Sequence, residues 1–350
     1  MASALPIPQF PQPGFLLADE RTASTFEEIP IINVSAAFTD DHAARRALAD
    51  DILDASINVG FFYLKDHGIP EEAFWATVEA GKRFFALPEC QKLELDIHKS
   101  ASYKGYTALL AENTDVTANG DLHEAFDIGY EPKDQTLASE SAKDVDSVMG
   151  GANVWPKDIL GFKDAFLDYY HAALNLAQRL FPIFALALGL PENWFDDKTT
   201  RPAAIMRLLH YPPQDVASAE KQIGIGAHTD YECFTILWQD SNGGLQVQNT
   251  GGKWIDAVPI PGTVVVNLGD QFTRWTNDVF KSTPHRVINR SGRERYSIPV
   301  FIGTDYDTML DPIETCVLPG SPPHYEVMTA GDYVKSRLDA TYTRSAQVID

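Results

Sequence analysis

Residues 224–239 read GIGAHTDYECFTILWQ, and the architecture of the chain follows from how they are taken. Gly224 and Gly226 punctuate the start, and a run of β-branched and aromatic residues follows. That is the grammar of two short strands. In an extended segment residues i and i+2 point to one side, so His228 and Asp230 converge if the chain stays extended there. A second histidine, His285 in STPHRVIN (282–289), sits in another strand candidate and completes a set of two imidazoles and one carboxylate. This donor mix suits a non-haem Fe(II) ion that keeps adjacent coordination positions open. The bland reading is that a His-x-Asp tripeptide is common, and that a lone histidine is more often a surface or core residue than a ligand.

Around this stretch the same grammar continues. IMRLLHY (205–211), GLQVQN (244–249), TVVVNLG (263–269), HRVINR (285–290) and RYSIPVF (295–301) are further short β runs separated by turn residues. Strands at this spacing suggest an antiparallel barrel or jelly roll. Alternation puts Arg295 and Ser297 on one face, where a guanidinium beside a hydroxyl makes a good receptor for a carboxylate. The alternative is a salt bridge to a strand neighbour. Tyr211 could add a phenolic hydroxyl, or could be a rim tyrosine. Asn267, with Gly269 and Asp270, reads only as a strand end and turn.

The N-terminal half reads differently. IPIINVS (29–35) and GFFYLKDHG (60–68) are strand candidates; residues 41–57 and 69–87 have helical spacing. Residues 91–155 read as mostly irregular, a length uncommon inside a compact domain unless it covers something. Residues 157–190 are helical with a bend expected at Pro182, and 325–342 is helical again.

Composition sets the outer limits. With 44% hydrophobic and 22% charged residues over 350 positions, the chain supports a sizeable core. A net charge of −21 disfavours phosphate backbones and anionic membranes as partners. Cys90, Cys233 and Cys316 are odd in number and far apart, so no disulfide scaffold is expected. The start has no basic region followed by an apolar run, and 174–190 is broken by Gln178, Arg179 and Pro182, so neither reads as a leader or a membrane span. A cytoplasmic monomer is the default expectation.

Taken together, HTD at 228–230, STPHRVIN and RYS at 295–297 resemble the isopenicillin-N-synthase-like branch of Fe(II)/2-oxoglutarate-dependent dioxygenases. YKGY (103–106), DLHEAFDIG (121–129), GGLQVQ (243–248), VVVNLGDQFTRWTND (264–278) and DATY (339–342) extend the likeness to roughly 28–342. The resemblance implies an α+β fold: a distorted double-stranded β-helix, or jelly-roll, core with flanking N-terminal helices and a C-terminal helix. One integrated unit is expected. It comprises a Pro-rich arm (1–27), an N-terminal α/β region with an active-site cover (28–190), the dioxygenase core (203–305) and a C-terminal tail and helix (306–350).

It also implies His228, Asp230 and His285 as iron ligands. Arg295 and Ser297, often joined by Tyr211, would hold the distal carboxylate of 2-oxoglutarate. Many plant members have Asn two residues before that tyrosine; here the position is Leu209, and Arg207 is the candidate to replace the lost hydrogen bond. The implied chemistry consumes O2 and 2-oxoglutarate and oxidises a C–H bond of a small metabolite. Hydroxylation, desaturation and ring formation are equally compatible. Aromatic residues near the barrel mouth and cover, Tyr106, Phe126, Tyr231, Phe234, Phe272 and Phe301, are candidates for a partly apolar substrate pocket, although aromatics in barrels are usually core. Rival readings are a 2-oxoglutarate-independent oxidase of the isopenicillin-N-synthase type, ethylene formation from 2-oxoglutarate, and a jelly-roll binding module without turnover.

Overall fold

The computed structural model describes residues 25–100, 102–114, 120–132, 151–219, 222–317, 320 and 322–346. All but the last residues of the expected Pro-rich arm lie outside that range. In chain order the strands are β1 Ile31–Asn33, β2 Phe61–Lys65, β3 Gly105–Thr107, β4 Glu124–Gly129, β5 Ala204–Tyr211 and β6 Ile225–His228. Then come β7 Phe234–Gln239, β8 Leu245–Gln248, β9 Trp254–Asp256, β10 Thr263–Leu268, β11 His285–Val287 and β12 Arg295–Ile302. The longer helices are α1 His42–Asn58, α2 Glu71–Phe85 and α3 Phe162–Ala187; the six-residue α4 is Asp270–Trp275, and α5 is Ala330–Ala346.

Two sheets face each other. The larger has the order β1-β2-β10-β7-β12-β5-β4-β3, and the smaller β6-β11-β8-β9. Apart from the parallel β1–β2 pair, the ladders are antiparallel, as a jelly roll requires. The fold class is the one the sequence implied.

Helices α1, α2 and α3 cover the outer face of the large sheet because each carries an apolar stripe. In α1 the stripe is Leu48, Ile52 and Ala55, and the helix starts where the Asp41 carboxylate accepts from the amides of Ala43 and Ala44, at 2.9 and 3.1 Å. In α2 it is Phe74, Val78, Gly81 and Phe85, with Glu71 and Glu72 in the first turn and Lys82 and Arg83 in the last, in favour of the helix dipole. Gly81 is required by packing: a Cβ there would collide with Leu208 Cδ2, so α2 lies hard against β5. In α3 the buried residues run along its whole length, and the helix continues through Pro182 as α-helix from Phe162 to Ala187.

The cover differs from expectation. Residues expected to be irregular contain β3 and β4, which extend the large sheet beyond β5. β4 reads EAFDIG and is buried throughout, its acidic residues satisfied by ion pairs, so neither alternation nor an apolar run announced it. Two apolar clusters result. The large one fills the layer between helices and sheet; the small one, including Leu209, Tyr211, Leu237, Val247 and Val287, lies between the two sheets.

Candidate active site

His228 is the last residue of β6, and His285 is the first of β11, directly opposite it in the antiparallel ladder. Their ring centroids are 4.3 Å apart. Asp230 lies two residues beyond the end of β6. Its Oδ1 is 3.6 Å from His228 Nε2 and 3.5 Å from His285 Nε2. Among the described residues this is the group of three or more His, Cys, Asp or Glu side chains whose ligand atoms, all within 4.8 Å of one another, could hold a metal ion.

The surroundings aim each donor. Nδ1 of His228 is 2.9 Å from the Gly226 carbonyl, and Nδ1 of His285 is 3.2 Å from the Thr283 carbonyl. A carbonyl only accepts, so both hydrogens sit on Nδ1 and both Nε2 lone pairs point to the shared centre. The other oxygen of Asp230 is occupied: Thr235 Oγ1 donates to Oδ2 at 2.5 Å and Asn267 Nδ2 at 2.6 Å. Oδ1 is thereby left for the centre. Asn267 thus does more than end a strand, which corrects the sequence reading.

Burial lowers the pKa of His228 to about 4, with His285 adding to the effect, and keeps the ring neutral as a ligand must be. Burial would raise Asp230, but the adjacent histidines overcome it and hold the carboxyl well below its ordinary range. The chemistry and orientation of this donor set fit Fe(II).

The centre faces a cavity of about 220 Å³ between the sheets. Arg295 on β12 lines it, with no exposed surface. Its Nε donates to the Gly243 carbonyl at 2.5 Å, Nη1 to Ser297 Oγ at 3.1 Å and Nη2 to Gln239 Oε1 at 3.2 Å. Its guanidinium also lies over the Tyr211 ring, 4.7 Å from the centroid. Among the described residues no carboxylate pairs with it, and a buried guanidinium without a counter-ion is costly. The Tyr211 hydroxyl, also buried, closes no hydrogen bond of normal geometry. Burial raises its pKa, and the nearby Arg295 and Ser297 offset that only in part. These groups fit an incoming carboxylate such as the distal end of 2-oxoglutarate.

Of the six aromatic candidates, Tyr231 and Phe301 line the cavity. Tyr106, Phe126, Phe234 and Phe272 do not, and the expectation that they would is corrected. Asp127 and Thr235 are the cavity-facing residues of β4 and β7, so alternation turns their neighbours Phe126 and Phe234 to the helix side. There Phe126 meets Phe84, Phe162 and Phe166, and Phe234 meets Phe181, Phe184 and Phe272. Tyr106 packs on Phe84 and donates to Glu124 at 2.7 Å.

Leu209 and Arg207 both line the cavity. Arg207 is held away from Arg295 by Asp127, which accepts from Nε and Nη2 at 2.7 Å, and by Glu112, which accepts from Nη1 at 2.7 Å and Nη2 at 3.0 Å. Burial would raise both carboxyls. Arg207 and His123 overcome it at Glu112 and hold that group well below the usual carboxylate range, whereas at Asp127 burial outweighs Arg207 and the pKa stays raised. Sequence reasoning missed this acidic clasp, and also Val334 and Leu338, which α5 brings over the cavity.

A family model described as the 2OG-Fe(II) oxygenase superfamily matches residues 202–304, and one described as the non-haem dioxygenase in morphine synthesis N-terminal matches 29–158. A 2-oxoglutarate-Fe(II) type oxidoreductase, hxnY of Emericella nidulans, is 37% identical over 90% of this chain and 91% of its own. The chain belongs to the 2OG-Fe(II) oxygenase superfamily. A homoarginine-6-hydroxylase of Arabidopsis thaliana is another relative of this oxygenase, 35% identical over 84% of this chain and 90% of its own. The crystal structure of a full-length Neurospora crassa protein in complex with alpha-KG is similar in fold, with a TM-score of 0.79, 32% identity and coverage of 90% and 96% of the two chains. The same protein has been solved with alpha-KG and thymine. The oxygenase is thus a non-haem iron enzyme that uses Fe(II), 2-oxoglutarate and O2, acting on a small molecule.

Proposed function

We propose that this oxygenase oxidises a C–H bond of a small metabolite bound in the cavity between the sheets, with His228, Asp230 and His285 holding Fe(II). Arg295, Ser297 and Tyr211 hold the distal carboxylate of 2-oxoglutarate. The observation that carries this reading is the shared centre of two Nε2 lone pairs and one carboxylate oxygen facing a cavity, with a buried guanidinium in the same cavity that has no carboxylate partner among the described residues. The bound metal and cosubstrate supply the oxidising chemistry, converting 2-oxoglutarate and O2 to succinate and CO2 as the substrate C–H is oxidised.

The chain's own work is positioning and exclusion of water. Thr235 and Asn267 keep one carboxylate oxygen of Asp230 turned away from the centre. Gly243, Gln239 and Ser297 hold the Arg295 guanidinium in one orientation before any ligand arrives, which lowers the ordering cost of binding. Tyr231, Phe301, Val334 and Leu338 furnish the apolar wall that presents carbon to the metal. A binding module without turnover predicts a blocked metal position; here the centre opens on the cavity.

Expression as a monomer in the cytoplasm, with neither nucleic acid nor membrane as partner, belongs to the same reading. The net charge of −21 supports it, as does the fact that, among the described residues, no helix is long and apolar enough to cross a membrane. The test is an anaerobic titration with Fe(II) and then 2-oxoglutarate. We expect one metal and one cosubstrate per chain, with metal uptake lost in His228→Ala and cosubstrate uptake selectively weakened in Arg295→Gln. Unchanged metal affinity in His228→Ala would sink the assignment.

A further inference from the structure

The peptide that aims His228 is poorly held by its own sheet. β6 lies at the edge of the smaller sheet, with β11 as its ladder neighbour. That ladder pairs His285 with His228 and Val287 with Ile225, so Gly226 and Ala227 together stand opposite Arg286 and the register is broken there. Gly226 is buried at this break. Its carbonyl is the acceptor 2.9 Å from His228 Nδ1, so any swing of this residue turns the ring whose Nε2 faces the shared centre.

A segment outside the sheet supplies what the ladder does not. Residues 121–123, which precede β4, run beside residues 223–226. The Leu122 amide donates to the Ile223 carbonyl at 2.9 Å, and His123 Nδ1 is 2.9 Å from the Gly224 carbonyl. Asp121 Oδ1 accepts from the Gly226 amide at 2.8 Å. Asp121 is itself buried and fixed. Its Oδ2 accepts from the Thr114 amide at 2.9 Å and from the Thr114 hydroxyl, and its own amide donates to the Glu112 carbonyl at 2.8 Å. A carboxylate that only closed its own loop would need the Thr114 contacts alone. The second oxygen instead reaches a residue 105 positions away, the one whose carbonyl faces the proposed iron ligand. Glu112 and Thr114 line the cavity, so one buried carboxylate joins the cavity wall to the strand that carries His228.

We propose that Asp121 is a positioning residue for the iron site: by holding the Gly226 amide across the break in the β6–β11 register, it fixes the carbonyl that orients the His228 ring. This inference rests on the oxygenase site described above and adds a residue that touches neither metal nor cosubstrate. It differs from a purely structural role for Asp121, which predicts lower stability with an unaltered metal site.

The experiment titrates the full chain anaerobically with Co(II), whose visible ligand-field band reports the geometry of its ligands. Melting temperatures are measured in parallel. The native chain should take up one Co(II), and His228→Ala should lose it. Asp121→Ala should raise the Co(II) Kd roughly tenfold, the lower end of what losing an orienting partner costs, and should alter the band. Asp121→Asn keeps one acceptor oxygen and should fall between Asp121→Ala and the native chain in both readouts. Gly81→Ala, which strains the distant contact of α2 with β5, should lower the Tm while leaving Kd and band at native values. A native Kd and band in Asp121→Ala would overturn the inference, as would the same change of band in Gly81→Ala; either leaves the iron site standing. If Asp121→Ala does not fold, Asp121→Asn decides: a severalfold higher Kd with a shifted band supports the role, and native values overturn it. A native chain that takes up no Co(II), or a His228→Ala chain that binds it as tightly, would remove the iron site and this inference together.

Discussion

At the scale of single residues the site is a matter of which lone pair is left over. Asp230 has one oxygen spoken for by Thr235 and Asn267, so removing those donors frees the carboxylate to rotate. We expect Thr235→Val and Asn267→Ala each to weaken Fe(II) binding roughly 10–100-fold with the fold intact, read by anaerobic metal titration alongside circular dichroism. Normal affinity in both would show that Asp230 needs no orientation. Arg295 poses the complementary case. Its replacement by Gln removes hydrogen bonds to a charged partner worth about 1.5–3 kcal/mol, which is a rise of about ten- to hundredfold in the 2-oxoglutarate Kd. Iron affinity should stay put, and a parallel loss of iron would contradict the division of labour. The proposed ligand residues were legible in the sequence because His-x-Asp, a distant histidine and Arg-x-Ser are short patterns of unusual chemistry. Thr235, Asn267, Glu112 and Asp127 were not, because threonine, asparagine and acids occur everywhere and gain meaning only from what they touch.

At the scale of elements, strand alternation sorts the aromatics. Phe301 shares the face of Arg295 and Ser297 on β12 and reaches the cavity, whereas Phe126 and Phe234 sit one residue out of phase with the cavity-facing Asp127 and Thr235. Phe126→Ala should therefore cost roughly 3–5 kcal/mol of stability while the folded fraction binds 2-oxoglutarate normally. Phe301→Ala should lose substrate binding with a smaller stability change. Denaturant melts combined with ligand titrations separate the two, and a stability-neutral Phe126→Ala would contradict the placement. Helix α2 offers a second check. Gly81→Ala drives a methyl into Leu208 on β5 and should destabilise by about 1–3 kcal/mol, measurable in the same melts. The periodicity of α1, α2 and α3 was readable because each has one wet and one dry side; β4 was not, because it has no wet side.

At the scale of the whole molecule, the two layers respond differently to solution conditions. On the helix side, burial would raise Glu124, but His210, Lys92 and Tyr106, at 2.8, 2.5 and 2.7 Å, overcome it and lower its pKa. A carboxyl depressed in the folded state stabilises fully above its unfolded value, ordinarily 4.5, and loses that contribution as pH falls through the lower folded value. The Tm difference between the native chain and Glu124→Gln should be largest near neutrality and shrink below about pH 4.5; a difference that does not vary with pH would contradict it. Between the sheets, Mn(II) and 2-oxoglutarate each at about a hundred times their Kd should add about 2.7 kcal/mol apiece, visible as a higher Tm that a chelator reverses. The amino-acid sequence by itself determined the barrel grammar, the helical stripes and the candidate metal and anion donors that we propose. Those depend on local periodicity and on side-chain chemistry that few other residues share. Only the tertiary structure decided which aromatics face the cavity, what aims the donors, and that Arg207 is clasped by acids from a loop and a neighbouring strand. Such facts depend on contacts between residues up to 95 positions apart, which no local pattern encodes.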